Sequence, residues 1–98
     1  MEISKVKEND KLTVAVSGRV DTVTSREFDS FIEENIQGIN ELVLDLKDMS
    51  YTSSAGLRVI LKTHKAMSSK GGLKIINVQS DVMEIFDITG FSDILDIE

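Results

Sequence analysis

The chain has 98 residues, no Cys and no Pro, 41% hydrophobic side chains and a formal charge of −6. That length makes one domain, residues 1–98, burying roughly 60 to 70% of its unfolded surface, and the missing cysteines exclude a disulfide framework, a thiolate metal site and a cysteine nucleophile. No secretory pattern opens the chain and no apolar run nears the roughly 20 residues that span a bilayer, so a cytoplasmic protein without membrane segments is expected.

Ile3 to Lys7 reads as a weak edge strand, and Glu8-Asn9-Asp10-Lys11 as a polar turn closing a hairpin onto Leu12 to Ser17. In that second strand Leu12, Val14 and Val16 alternate with Thr13, Ala15 and Ser17, the period of two that a pleated strand imposes. A helix follows from about Ser25 to Gln37, with Thr24 and Glu27 spaced as a capping box, Phe28, Phe31, Ile32 and Ile36 on one face, and Gly38 as its end. Leu42 to Leu46 is nearly continuous in apolar residues, as in a strand covered on both faces. After it, Tyr51-Thr52-Ser53-Ser54-Ala55-Gly56-Leu57-Arg58 carries a run of small hydroxyl side chains into a second helix, from about Ala55 to Lys70. There Leu57, Ile60, Leu61, His64 and Met67 recur on one face, and Arg58, Lys62, Lys65 and Ser69 mark the opposite one. Gly71-Gly72 stops it. Leu73 to Val78 is the next strand, Ser80 caps a short helix carrying Val82, Ile85 and Phe86, Gly90 is its left-handed stop, and Ile94 to Ile97 is a last short strand. Met49, Met67 and Met83 read as core or gap-filling residues. The order ββαβαβαβ predicts an α/β fold, a mainly parallel mixed sheet of about five strands packed against three helices.

Ser53 or Ser54 sits where the second helix begins. The first backbone N–H groups of a helix lack intrahelical partners, so a serine oxygen can accept from them, and the helix dipole favours negative charge at that end. A phosphate placed there would be stabilised by the same groups. The plain alternative is an N-cap and nothing more, and local sequence does not separate the two. Charge is unevenly distributed: Ser54 to Ser80 holds five basic residues and no acidic ones, whereas Asp81 to Glu98 holds six acidic residues and no basic ones. The default for such runs is a solvated face. Ser54, Arg58 and Lys62 nevertheless fall four apart along one helical face, so a phosphate on Ser54 could be met by Arg58 as well as by the backbone.

Enzymatic chemistry finds little support. Ser54 and His64 are the only conceivable serine–base pair, but ten residues along one helix separate them by about 15 Å, beyond hydrogen-bond reach. No Gly-x-Ser-x-Gly elbow is present, and Gly71-Gly72 lacks the pattern of a phosphate-binding loop. His64 is expected to be a core residue satisfied by one hydrogen bond. The acidic residues include no metal-spaced cluster, so no cofactor or metal is expected. Nucleic-acid binding is disfavoured by the acidic balance and by the absence of aromatics within the basic stretch.

Several segments, in order and at the right separations from about residue 10 onward, resemble one family. Leu12 to Asp21 resembles its opening strand, ending in Gly18-x-x-Asp21, with Thr24 at the following helix start. Asp45-Leu46-Lys47-Asp48-Met49-Ser50-Tyr51 resembles its second core strand and turn. Gly71-Gly72, the strand after it, and Ile85-Phe86-Asp87-Ile88-Thr89-Gly90-Phe91 resemble its closing strand and helix. The chain is thereby identified as similar to the STAS domain of anti-sigma factor antagonists. That resemblance implies strands laid down roughly in sequence, and a partner-switching function. The unphosphorylated protein would bind an anti-sigma factor that is itself a serine kinase of the histidine-kinase-like ATPase fold, freeing a sigma factor. Phosphorylation would end the binding, and a PP2C-like phosphatase would reset it. Aligned on Gly56-Leu57, the family's phosphoacceptor falls on Ser54, with Ser53 and Thr52 as neighbouring hydroxyls. Where the best-known members carry Asp before the acceptor and Ser or Thr after it, this chain has Ser53 and Ala55. The contact surface so implied is Asp21, Ser53, Ser54, Arg58 and Lys62, with Asp48 on the same side as Ser54; for Asp21 and Asp48 the plainer role is turn and cap hydrogen bonding. A monomer or weak dimer is expected. The rival within the family is an adaptor subunit of another system, such as a stressosome-like scaffold or a lipid-transport ATPase.

Overall fold

Apolar alternation in the strands decides which way the sheet faces. The computed structural model describes all 98 residues, with β1 at Glu2–Glu8, β2 at Lys11–Val20, α1 at Thr24–Asn35, β3 at Glu41–Asp45, β4 at Met49–Thr52, α2 at Ser54–Met67, β5 at Leu73–Ile76, α3 at Ser80–Thr89 and β6 at Asp96–Ile97. Leu12, Val14 and Val16 of β2, Leu42 and Leu44 of β3, and Leu73 and Ile75 of β5 are all buried. Their neighbours Thr13, Ala15, Val43 and Ile76 are only half-buried. One face of the sheet is therefore the core face, closed by Phe28 and Ile32 of α1, Leu57, Ile60 and Met67 of α2, and Val82 and Phe86 of α3. The expectation that Leu42 to Leu46 is covered on both faces is corrected: a two-layer domain leaves the far side of β3 partly open.

The sheet has six strands in the order β1-β2-β3-β5-β6, with β4 beside β2. β1 and β2 form the expected antiparallel hairpin from Glu2↔Ser17 to Glu8↔Lys11, and Asn9 takes a positive φ of 57° in its turn, which Asn tolerates better than most residues. The other pairings are parallel. The order is ββαββαβαβ, so the predicted ββαβαβαβ with about five strands missed one. That strand is β4. It is four residues long and pairs only with the end of β2, at Gly18↔Met49 and Val20↔Thr52. Nothing local marks it, because β2 is ten residues long and runs past β3, whose register ends at Ala15↔Asp45.

Element boundaries shift where caps differ from the local pattern. α1 ends at Asn35, and the Ile36 N–H still reaches the Ile32 carbonyl, so Gly38 lies in the turn beyond rather than at the stop. Ser80 makes no capping bond; it is the first residue of α3. Gly90 is the left-handed stop, with φ 81°, a conformation that a Cβ disfavours. The expected strand from Ile94 to Ile97 shortens to two residues after a 3₁₀ turn at Phe91–Asp93, and β5 stops at Ile76 rather than Val78. The second helix ends at Met67, three residues before Lys70. Its buried face is Leu57, Val59, Ile60, Thr63 and Met67. Leu61 and His64 fall on the flank, half-buried. His64 is accordingly not the satisfied core histidine expected, since its Nδ1 is buried without a partner.

Candidate functional site

Two parallel strands end side by side, and each feeds a helix. Val20 of β2 pairs with Thr52 of β4, and the Ser53 N–H donates to the Val20 carbonyl at 2.8 Å. Asp21 and Ser53 are thus neighbours, and α1 and α2 both start from this edge with their N-termini on the same side. The positive ends of both helix dipoles converge here.

Asp21 organises the first helix start. Its Oδ1 accepts from the Val23 N–H at 2.9 Å and the Thr24 N–H at 2.8 Å, while the Thr24 hydroxyl accepts from the Asp21 N–H at 2.8 Å. This is a reciprocal box, but it is formed by Asp21 and Thr24 rather than by Thr24 and Glu27 as the spacing suggests. The Thr24 backbone N–H, and then its hydroxyl, hold the Asp21 carboxyl below its ordinary 3.8. A lowered folded value means the unfolded chain binds the extra proton, so this contribution to stability is complete above 3.8 and is lost as pH falls through the lower folded value. Asp21→Asn keeps a capping oxygen but removes the titration. The difference in stability between wild type and Asp21→Asn, read from urea melts, should be constant above 3.8 and shrink below it. A difference independent of pH would show that the carboxylate charge contributes nothing.

Ser53 and Ser54 divide the roles that the sequence left open. Ser53 has extended backbone angles, and its Oγ accepts the Gly56 N–H at 3.3 Å, so it is the N-cap. Ser54 is the first residue of α2 and is exposed. Thr52 is 2% exposed and turns its hydroxyl to the Ser53 carbonyl, which places it beneath the surface. Gly56 is where the helix meets the sheet: a Cβ there would stand 2.3 Å from Thr52 Oγ1 and 2.9 Å from Val20 Cγ1. The turn bearing Ser54 is held from below by this close approach.

The cations sort differently from their spacing. Arg58 is exposed one turn after Ser54 and has no carboxylate partner, the chain's ion pairs being Lys62 with Asp29 and Glu33, and Lys74 with Glu98. Glu33, and then Asp29, hold the Lys62 ammonium above its ordinary value. Lys62 is therefore committed to α1, and of the five basic residues between Ser54 and Ser80 only Arg58, Lys65 and Lys70 remain unpaired. Arg26, absent from the sequence-based site, lines the same groove between α1 and α2 as Arg58 and Lys62. No sequence signal links positions so far apart. Val23, 75% exposed, adds an apolar side chain beside Asp21; its isolation in a polar turn was the available clue. Arg19 of β2 lies over the Tyr51 ring at 4.3 Å, a cation–π contact across the paired strand ends. Asp48 does not join the site. It precedes β4, about 13 Å of strand rise from Thr52, and lines a separate cavity with Glu2, Ser17 and Lys47. No helix is long and apolar enough to cross a membrane.

Comparison with known proteins places the fold in a family. The anti-sigma-B factor antagonist of Bacillus subtilis (strain 168) is 35% identical over 94 residues, covering 95% of this chain and 85% of that protein. An anti-sigma factor antagonist from Mycobacterium paratuberculosis superposes with a TM-score of 0.89 at 20% identity, over 98% of this chain and 83% of that one. The Bacillus cell fate determinant SpoIIAA in its phosphorylated form superposes at 0.76 with 12% identity, over 99% and 91% of the two chains. The STAS domain model matches residues 2–98. With the family's fold present over almost its whole length, the chain belongs to the STAS domain family.

Proposed function

We propose that this chain is an anti-sigma factor antagonist working by partner switching, with Ser54 as its phosphoacceptor. The observation that carries the reading is the division of labour at the start of α2. Ser53 makes the capping bond, which leaves the exposed Ser54 hydroxyl free to react without unravelling the helix. The name of the Bacillus subtilis relative supports the function class. Unphosphorylated, the chain presents Asp21, Val23, Ser53, Ser54 and Arg58 to an anti-sigma factor that is a serine kinase with a histidine-kinase-like ATPase fold. Lys62 borders this surface through its pairing with α1. Transfer of a phosphoryl group from the kinase's ATP to the Ser54 oxygen releases ADP and the hydroxyl proton and adds about −1.5 to −2 charges at pH 7. Desolvated against the partner, such a charge costs on the order of 2–5 kcal/mol, at least a roughly 30-fold loss of affinity. The scaffold beneath need not move, since Thr52 and Gly56 fix the turn from within. A PP2C-like phosphatase hydrolyses the phosphoserine and restores binding.

The test is capture from the native host's lysate with wild type, Ser54→Ala, and protein carrying phosphoserine at 54. Wild type and Ser54→Ala should recover a kinase-like ATPase, and the phosphorylated form should not. Equal capture by all three, or recovery of transporter subunits instead, would reduce Ser54 to an ordinary helix residue and favour the adaptor role.

A further inference from the structure

Two guanidinium groups reach one groove from different helices. Arg26 comes from the first turn of α1 and Arg58 from the second turn of α2, and the groove they line measures about 230 Å³. Its ionisable lining is Arg26, Asp29, Arg58 and Lys62, three cations and one anion. Lys62 bonds Asp29 at 3.1 Å and also Glu33, so its charge is taken up on α1, and the unpaired positive charge lining the groove belongs to the two arginines. Neither makes an ion pair, although the chain has 17 acidic residues against 11 basic ones. What sets these two apart from the chain's other unpaired cations is that both line the same groove, where their charges can act on one anion. The N-termini of α1 and α2 add their dipoles at the mouth of the groove.

We infer that the groove between α1 and α2 is a binding site for a phosphoryl dianion, clasped between Arg26 and Arg58. The planar, permanently charged guanidinium suits paired phosphate oxygens. The Asp29–Lys62 pair, further along both helices, closes the far end. The phosphoryl group has two possible carriers. One is Ser54, one helical turn before Arg58, and this source rests on the phosphoacceptor assigned above. The other is a separate molecule, such as a nucleotide held by a partner, and this source does not need Ser54 at all.

The experiment uses full-length protein with phosphoserine encoded genetically at position 54, so that no kinase is required. Its phosphate is titrated by phosphorus NMR in wild type, Arg26→Gln, Arg58→Gln and the double variant. Both arginines are exposed, so the variants should fold, as amide spectra will verify. A free phosphoserine has a second pKa of about 6; clasped by two arginines it should fall by about one unit, and each substitution should bring it part of the way back. In parallel, inorganic phosphate is titrated into unmodified protein while the arginine Nε–Hε signals are followed. Depression relieved by both substitutions identifies Ser54 as the carrier. No depression, but saturable shifts of the Arg26 and Arg58 signals that vanish in the double variant, identifies a separate carrier. If the phosphoserine titrates identically in all four proteins and free phosphate moves neither signal, the site is overturned. Partner switching would then still be judged on lysate capture alone.

Discussion

Gly56→Ala should destabilise the protein by about 1–3 kcal/mol, although the same change at an exposed helix position would stabilise it by up to about 1 kcal/mol. The opposite sign comes from space. A Cβ at this position meets Thr52 Oγ1 at 2.3 Å and Val20 Cγ1 at 2.9 Å, both closer than atoms approach without displacement. Val20 is fully buried and Thr52 nearly so, and Thr52 is paired to Val20 across the ladder. Relief therefore requires α2 to lift at its first turn, which weakens the bond from the Gly56 N–H to Ser53 Oγ and displaces Ser54. Urea denaturation should show a lower midpoint for Gly56→Ala. Adding Thr52→Ala should cost less in that background than alone, because the nearest obstruction is then gone. A midpoint at or above wild type would mean that the contact between helix and sheet is not tight.

Phe86→Ala should cost about 3–5 kcal/mol, against a total stability of roughly 5–15 kcal/mol for a domain of this kind. Phe86 is completely buried in the middle of α3, which packs on β4, and a cavity there removes the support behind the strand that leads into Ser53. Thermal melts should fall by roughly 12 °C or more, at 4–8 °C per kcal/mol. Ile88→Ala on the same helix is the control. At 79% exposed its loss should stay within about 0.5 kcal/mol. Equal losses at the two positions would place the core elsewhere than beneath α3.

Much of the architecture was legible because it rests on short-range physics. The alternation of Leu12, Val14 and Val16 needs only the pleat of a strand. The apolar face of α1 needs only the helical period, and Gly90 as a left-handed stop needs only the absence of a Cβ. The hairpin at Asn9 and Asp10 is equally local. Strand β4 was not legible, since four residues with no marked pattern became a strand only because β2 runs past β3 and offers unpaired backbone. His64 was misplaced for a related reason: the apolar spacing that includes it is real, but the face that α2 turns to the sheet is rotated towards Val59 and Thr63.

The candidate site divides along the same line. By itself the sequence determined that hydroxyls stand at the start of an amphipathic helix, that Arg58 follows Ser54 by one turn, and that Asp21 stands between the second strand and the first helix. All of these are consequences of spacing along the chain. Which hydroxyl caps the helix, which residue partners Asp21, and where each cation's charge goes were decided only by the tertiary structure. Ser53 takes the cap because pairing of Thr52 with Val20 and the close approach of Gly56 set the point at which the helix begins. Lys62 is paired because α1 brings Asp29 and Glu33 to it, and Arg26 joins the groove because the same packing lays the first turn of α1 beside α2. Electrostatic partners act through space, and the distances that choose among them exist only once the sheet has brought the two helix starts together.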